Sequence, residues 1–291
     1  MPERYPKISI VTVSYNQEAF IEKSILSVIS QGYPNLEYII IDGASTDRTP
    51  EIIEQYKSSL AYRVSEKDKG MYDALHRGFQ QSTGEIMGWL NSDDLLMPGS
   101  LFTLAEIFSN NKDIDWLQGN PCVADERGRF VFQRPQRSSK YSFYLKDYTD
   151  GVFIQQESTY WKRGLWEKAG SRISDAYKYA GDFELWMRFF QHADLCNTTA
   201  LIGAFRLREG QLSSRNYKEY LAECDAIVDA TLSRLPPDEQ SMLDRLRRER
   251  RPGIIDRVLL KAGLKKNDLE RRITRGRFIN FNFDKKGFCP A

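Results

Sequence analysis

Runs of β-branched and other apolar residues alternate with helix-periodic segments through the first hundred residues of the chain. The run ISIVTVS at 8–14 precedes apolar positions 20, 21, 25, 28 and 29, whose spacing places them on one face of a helix. The same alternation predicts strands at 38–41, 61–64 and 86–90 and helices beginning near Thr49, Met71 and Pro98. The sequence therefore predicts an α/β chain with a Rossmann-like, mostly parallel central sheet flanked by helices.

Beyond residue 108 the pattern is less regular. Strands are predicted at 116–120, 158–161, 194–199 and 201–207, with a hairpin turn at 125–129 and a helix at 182–191. Residues 138–151 are polar and tyrosine-rich without a period, and we expect them to form a mobile segment. From Tyr217 onward the pattern is helical, which predicts a helical C-terminal extension.

Composition and charge exclude several classes of protein. A chain that is 41% hydrophobic is not wholly disordered, and it has no apolar run near the roughly 20 residues needed to cross a bilayer. Its start lacks the apolar core of a signal peptide, so we expect a cytoplasmic protein. Residues 244–291 carry 15 Lys and Arg against 6 Asp and Glu, although the whole chain has a net charge of only +2. This basic segment could contact an anionic membrane, or it could be a solvated helical cap packed on the body.

Cysteine and histidine chemistry has little support in the sequence. The four cysteines are far apart and form no C-x-x-C pair, which argues against a zinc knuckle or a disulfide framework. The two histidines, His76 and His192, leave little room for a histidine metal site or a serine triad. The chemistry is therefore expected to use carboxylates.

Acidic residues follow two of the predicted strands, where ligands of parallel sheets bind. Asp93 and Asp94 come directly after the strand at 86–90, and their mutual repulsion would be offset by a divalent cation such as Mg²⁺ or Mn²⁺. The alternative is a solvated turn in which Asp94 caps the next helix. Asp42 ends the strand at 38–41 and could accept hydrogen bonds from a ligand, whereas Thr46 or Asp47 would cap the following helix.

Five segments, taken together and in chain order, resemble the inverting family-two glycosyltransferases with the A-type nucleotide-sugar-binding fold. They are ISIVTVSYN at 8–16, DGASTDRT at 42–49, KGMYDAL at 69–75, LNSDD at 90–94 and GDFELWMR at 181–188. The match runs roughly from residue 8 to residue 213. The resemblance implies transfer of a sugar from a UDP- or dTDP-sugar to a saccharide or lipid-linked acceptor, in cell-surface polysaccharide or glycolipid assembly.

The resemblance also implies roles for individual residues. The donor nucleotide would be bound by Ser14, Tyr15, Asn16, Asp42, Lys69, Gly70, Ser92, Asp93 and Arg208. Asp94, together with Asp93, would ligate Mn²⁺ or Mg²⁺, and Asp182 would be the general base that deprotonates the acceptor. Gln155, Gln156 and Trp161 are predicted to line the acceptor pocket, because carbohydrate sites favour amides and aromatic rings. The alternative for Trp161 is an ordinary place in the core.

Three positions depart from the family pattern. Asn91 stands where many members have Asp, and Gly181 replaces the acidic residue before the base. Arg208 occupies a position that is His in the family's R-x-H-x-x-Q-x-S stretch. Arginine cannot ligate a metal, but it can hold a diphosphate through two hydrogen bonds.

We expect residues 1–213 to form the catalytic domain, with 1–97 binding the nucleotide sugar and 98–213 binding the acceptor. Residues 214–291 would form the helical basic extension, with possible peripheral contact to the inner face of a membrane. A nucleotidyl- or phosphotransferase is an alternative, although no glycine-rich loop follows the first strand. A basic-tailed, non-catalytic binding protein is another. No nucleic acid is expected as a partner, because the body is acidic and lacks a known nucleic-acid motif.

Overall fold

The computed structural model describes residues 5–133, 138–209, 211, 215–250 and 276–290. The strands within these ranges are β1 Ile8–Ser14, β2 Leu36–Asp42, β3 Tyr62–Ser65, β4 Ile86–Trp89, β5 Leu95–Leu96, β6 Trp116–Ala124, β7 Phe130–Gln133, β8 Thr159–Lys162, β9 Cys196–Arg206, β10 Arg277–Asn282 and β11 Gly287–Pro290. The α-helices are Ile21–Ile29, Thr49–Gln55, Met71–Gln81, Ser100–Asn110, Lys140–Tyr144, Arg163–Lys168, Gly181–Phe189, Tyr217–Leu232 and Pro237–Arg250.

The strands form one twisted sheet in the order β11-β10-β9-β6-β8-β4-β1-β2-β3, with β5 paired to β9 and β7 paired to β6. The first four strands are mutually parallel, as the alternating pattern predicts. β8 runs antiparallel to both β4 and β6, so β4, β6 and β9 all point the same way. The predicted α/β class is confirmed, and the sheet is mixed in its second half. The carboxyl ends of β1, β2, β4, β6 and β9 share one edge, called here the carboxyl edge.

Apolar burial on both faces of the sheet explains why the predicted strands form. Every residue of β1 is buried, and the helix Ile21–Ile29 buries the predicted positions Ile21, Ile25 and Val28 against one face. The other face carries an aromatic core that includes Trp89, Trp161 and Trp186. The rings of Trp89 and Trp186 are stacked with their centroids 5.5 Å apart.

Two sequence predictions outside the first half are wrong. Residues 138–151 are not a mobile segment, because they form the helix Lys140–Tyr144 and a 3₁₀ turn at Asp147–Asp150, which bury Phe143, Tyr144 and Tyr148. The two strands predicted at 194–199 and 201–207 are one strand, β9, and the break predicted near residue 200 is a shift of register against β6.

The C-terminal extension is helical in part. Its helices Tyr217–Leu232 and Pro237–Arg250 agree with the prediction, but β10 and β11 form a hairpin, and β10 continues the sheet beyond β9. The helical prediction is therefore wrong for the last strands, where backbone pairing with Cys196 and Asn197 decides the structure. Most of the basic stretch, 251–275, lies outside the described residues. Among the described helices, none combines the length and apolar character that a bilayer crossing requires.

Candidate active site

Asp42 is held rigidly at the carboxyl edge, at the end of β2. It is fully buried, and its partner in the parallel register is Ser14, at the end of β1. Its carboxylate accepts hydrogen bonds from the Ser45 hydroxyl at 2.5 Å, the Ser45 N–H at 2.9 Å and the Ser65 hydroxyl at 2.5 Å. A carboxylate offers about four acceptor directions. The arrangement therefore leaves about one direction for a donor group on a ligand.

At the end of β1, Ser14 and Tyr15 have groups that could contact a ligand, whereas Asn16 holds the loop. The Ser14 hydroxyl is buried and has no hydrogen-bond partner among the described residues. The Tyr15 side chain is 61% exposed, so it is available to a ligand. Asn16 has a positive φ of 52°, and its side-chain oxygen accepts the Thr46 N–H at 2.9 Å. Asn16 therefore ties the two loops of the carboxyl edge together.

A further carboxylate that the sequence analysis missed lies against the Asp42–Gly43 turn. A Cβ atom at Gly43 would lie 2.7 Å from Oδ2 of Asp68, so the Asp68 side chain packs closely against this turn. The other oxygen of Asp68 accepts the Gly70 N–H at 2.9 Å. Lys69 is exposed between them. The position of Asp68 directly before the Lys69–Gly70 motif was the available signal.

Asp93 and Asp94, adjacent in sequence, have opposite environments. Asp94 is fully buried, and its two oxygens accept the Arg206 backbone N–H and the Gln156 side-chain amide, each at 3.0 Å. Burial, with the nearby Asp93 and Glu157 carboxylates, raises the pKa of Asp94 well above its usual range. Asp93 keeps 16% of its side chain exposed. Of the two, Asp93 is therefore the carboxylate that can reach a ligand.

Two arginines place positive charge beside these carboxylates. Nε of Arg208 donates to Oδ2 of Asp93 at 2.8 Å. The guanidinium carbons of Arg206 and Arg208 lie 5.2 Å and 5.1 Å from the centroid of the Phe20 ring. Arg206 is fully buried, and its Nε and Nη2 atoms have no hydrogen-bond partner within the described ranges. The carboxyl edge thus offers the partly exposed Arg208 guanidinium to an anion, and the buried Arg206 adds positive charge nearby.

The residues fit a divalent cation that enters with a phosphate-bearing ligand. Among the described residues, no group of three or more His, Cys, Asp and Glu side chains could hold a metal ion alone. Mg²⁺ commonly takes one or two protein carboxylates and completes its shell with water and substrate phosphates. Asp93 can supply such a carboxylate. Both oxygens of the buried Asp94 already accept protein hydrogen bonds, and its role as the principal metal ligand stays a prediction.

Asp182 lies in the first turn of the helix Gly181–Phe189, next to Tyr72. Tyr72 lies in the first turn of the helix Met71–Gln81, which follows β3. Because β3 is parallel to β2, this helix begins at the carboxyl edge. The Tyr72 hydroxyl lies 3.3 Å from Oδ1 of Asp182. A Cβ atom at Gly181 would lie 2.9 Å from the Tyr72 ring, which explains why glycine replaces the acidic residue here. Burial raises the pKa of Asp182 to about 6, against hydrogen bonds from Phe183 and Tyr72 that lower it. A carboxylate with a pKa near neutrality is suited to general-base work.

Glu184, two residues after Asp182, is engaged elsewhere. Both of its oxygens accept hydrogen bonds from Arg188 at 2.8 Å. This ion pair makes it a poor substitute for Asp182 as a base.

The predicted acceptor residues have different environments. Trp161 is fully buried, with its ring 5.8 Å from Trp89 and 5.7 Å from Trp186, so it is a core residue and the acceptor prediction for it is wrong. Gln156 donates to Asp94, so it orients that carboxylate. Gln155 is half-buried, and its role in acceptor binding stays a prediction.

Ser92, a predicted donor-binding residue, is buried, and its carbonyl accepts the Ser24 hydroxyl at 2.8 Å.

Known proteins are similar to this chain in sequence and in fold. The model of the family "Glycosyl transferase family 2" matches residues 9–169, which is more than half of the chain. An Escherichia coli protein, UDP-Glc:alpha-D-GlcNAc-diphosphoundecaprenol beta-1,3-glucosyltransferase, is 26% identical over 229 residues, covering 76% of this chain and 85% of the relative.

Two solved structures share the fold. Staphylococcus aureus TarS (residues 1–349), in complex with UDP-GlcNAc, has a TM-score of 0.64 at 20% identity, covering 81% of this chain and 70% of that one. A mannosyltransferase from Pyrobaculum calidifontis, solved with GDP-Man and Mn²⁺, has a TM-score of 0.55 at 15% identity, covering 94% and 85%. The family match shows that the chain belongs to glycosyl transferase family 2 and is a nucleotide-sugar-dependent glycosyltransferase.

Proposed function

We propose that the protein is an inverting glycosyltransferase that moves a sugar from a UDP- or dTDP-sugar to a hydroxyl of a lipid-linked saccharide. The observation that carries this proposal is the arrangement of the polar residues of the carboxyl edge in three groups, called stations here. Asp42 and Ser14 lie at one, Asp93 and Arg208 at a second, and Asp182 at a third. In the order given, these stations suit the nucleobase of the donor, its diphosphate and the attacking hydroxyl of the acceptor.

The first station selects the base of the nucleotide. The remaining acceptor direction of Asp42 suits the imino N–H of uracil or thymine, and the unpartnered Ser14 hydroxyl can bond the same ring. The exposed Tyr15 ring can pack on the base. Replacing Asp42 by Asn turns part of its acceptor surface into a donor. UDP affinity should then weaken by about 1–3 kcal/mol.

The second station stabilises the leaving diphosphate. Arg208 can exchange its hydrogen bond with Asp93 for bonds from its guanidinium N–H groups to phosphate oxygens. The guanidinium of Arg206, on the same Phe20 ring, adds positive charge. Asp93 would hold the Mn²⁺ or Mg²⁺ ion, which when bound supplies further charge neutralisation at the diphosphate.

The third station performs the proton transfer. Asp182 would accept the proton of the acceptor hydroxyl as its oxygen attacks the anomeric carbon, on the face opposite the leaving diphosphate. A single displacement with one base inverts the anomeric configuration, as in glycoside hydrolysis. Tyr72 steadies the carboxylate during this step.

The name of a relative, rather than the site, supports the proposed acceptor. The E. coli relative is named for a diphosphoundecaprenol-linked acceptor. We therefore assign this protein a lipid-linked saccharide in polysaccharide or glycolipid assembly. It would work in the cytoplasm at the inner face of the membrane, with its basic C-terminal segment towards anionic lipid.

A donor screen tests the proposal. The protein is incubated with UDP-, dTDP-, GDP- and ADP-sugars, with Mn²⁺ or with EDTA, and release of nucleoside diphosphate is measured beside an Asp182→Asn control. Release from UDP- or dTDP-sugars that depends on Asp182 is expected. Faster release from GDP-sugars would contradict the assignment of Asp42. In a parallel incubation with a nucleoside triphosphate and a sugar 1-phosphate, release of pyrophosphate would favour a nucleotidyltransferase.

A further inference from the structure

Glu223 bonds to the backbone directly before the proposed base. Its Oε1 accepts the N–H of Lys178 at 3.0 Å. Its Oε2 accepts the N–H groups of Tyr179 and Ala180 at 2.9 Å and 2.8 Å. Glu223 lies in the helix Tyr217–Leu232, beyond the residues matched by the family model and beyond the predicted end of the catalytic domain at 213. No local sequence signal pointed to it.

The same stretch is held from its other side. The Tyr72 hydroxyl donates to the Tyr179 carbonyl at 2.7 Å, so both polar groups of this residue's backbone are bonded to other elements. The helix Gly181–Phe189 has no side-chain cap from its own N-cap residue, Ala180. Glu223 supplies a carboxylate there from a separate helix. A negative charge at a helix N-terminus is favourable, because the N–H groups there lack partners within the helix.

Packing joins the helix Tyr217–Leu232 to the body of the enzyme. Cys224, Ile227 and Val228 are buried in the same apolar cluster as Tyr72 and Phe183. The carboxylate of Glu223 is therefore carried on a firmly packed helix, and its three bonds transmit that position to residues 178–180.

We propose that Glu223 is a positioning residue for sugar transfer, which clamps residues 178–180 and thereby holds the Asp182 carboxylate where it receives the acceptor's proton. This inference rests on the proposed function of Asp182. It makes the helix Tyr217–Leu232 part of the catalytic unit. A displacement of about 1 Å in a reacting group can cost on the order of 10²-fold in rate.

Glu223 also contributes to the charge around the base. The titratable side chains that face Asp182 are Tyr72, Tyr220, Glu223 and Cys224. After burial, which is the largest cause, the negative charge of Glu223 helps to raise the pKa of Asp182. Removing that charge should lower this pKa and move the acid limb of the rate profile to lower pH.

The test compares Glu223→Gln with Glu219→Gln in the full chain. Glu219 is an exposed residue of the same helix and serves as the matched control. Measured are kcat and KM against pH, UDP affinity by calorimetry, and thermal unfolding. For Glu223→Gln we expect a fall in kcat of at least tenfold at pH 7.5, UDP affinity within twofold of wild type, and the shifted acid limb. Glu219→Gln should match wild type.

Each other outcome has a defined meaning. A wild-type kcat and pH profile for Glu223→Gln overturns the inference, and so does a loss of UDP affinity in proportion to kcat, because Glu223 would then support the whole fold. If Glu223→Gln does not fold, Glu223→Asp, which keeps the charge on a shorter side chain, is held to the same criteria for kcat and UDP affinity, and its acid limb should match that of wild type. If Asp182→Asn transfers sugar normally, the proposed base is wrong. If Asp182→Asn is inactive while Glu223→Gln is not, the inference alone fails.

Discussion

Replacing Asp182 by Asn should raise stability at neutral pH while it removes activity. Burial raises the pKa of this carboxyl from 3.8 to about 6, which corresponds to about 3 kcal/mol of unfavourable free energy for the ionised form in the folded state. Asparagine carries no charge at any pH. It also accepts less well from the Phe183 N–H and the Tyr72 hydroxyl, so we expect a net gain of about 1–3 kcal/mol.

The sign of the pH dependence follows from the direction of the shift. The folded state binds this proton more tightly than the unfolded chain, so the destabilisation is fully present above about pH 6. It disappears as the pH falls from about 6 to below 3.8, where the carboxyl is neutral in both states. The advantage of Asp182→Asn should therefore be large at pH 7.5 and nearly absent at pH 3.5.

Thermal unfolding at these two pH values measures the effect. At pH 7.5 the variant should melt about 2–10 °C above wild type, given roughly 2–4 °C per kcal/mol for a chain somewhat larger than most measured domains. Its transfer rate should fall by about 10²-fold or more, with donor affinity within about twofold of wild type. Glu184→Gln is the control: it breaks the ion pair with Arg188 and should lower stability while transfer survives.

Equal melting temperatures at pH 7.5, or an advantage that persists unchanged at pH 3.5, would refute the reasoning that burial strains this carboxylate. Transfer by wild type should also fall tenfold for each pH unit below about 6, because the protonated acid cannot act as a base. A rate that stays flat down to pH 5 would place the base elsewhere.

Three further predictions concern the rest of the carboxyl edge. Asp93→Asn should weaken Mn²⁺-dependent UDP binding at least tenfold in calorimetry with an unchanged melting temperature. Asp94→Ala should instead lower stability by about 1–3 kcal/mol, because the buried N–H donors of Arg206 and Gln156 lose their acceptors. A larger loss of UDP binding in Asp94→Ala than in Asp93→Asn would favour Asp94 as the metal ligand. Arg208→His should raise the transfer rate in Mn²⁺ relative to the rate in EDTA, because imidazole can ligate a metal and guanidinium cannot. An unchanged ratio of the two rates would count against a cation at this station. Gly181→Ala should lower stability by about 1–3 kcal/mol, because its Cβ would lie 2.9 Å from the Tyr72 ring. Gly164→Ala, whose Cβ would meet open space, should not lower it. Equal melting temperatures for the two variants would contradict the close approach at Gly181.

The first half of the fold could be predicted from the sequence because its signals are local. β1 has the predicted bounds, and the helix Met71–Gln81 begins at the predicted residue, because the strand and helix periods are set by neighbouring positions in the sequence. Each strand of a parallel sheet delivers its last residues to one edge. The placement of Asp42 and of the Asp93–Asp94 pair at the carboxyl edge could therefore be expected before any coordinates.

The different fates of Asp93 and Asp94 were decided by tertiary structure alone. Nothing in two consecutive aspartates says which is buried. The return of β9 brings the N–H of Arg206, 112 residues away, onto Asp94, and it leaves Asp93 to the solvent and Arg208. In the same way, Trp161 became a core residue because other tryptophans of the core pack around it. Burial and hydrogen-bond partners come from segments distant in the chain, so no local pattern of residue types could have assigned them.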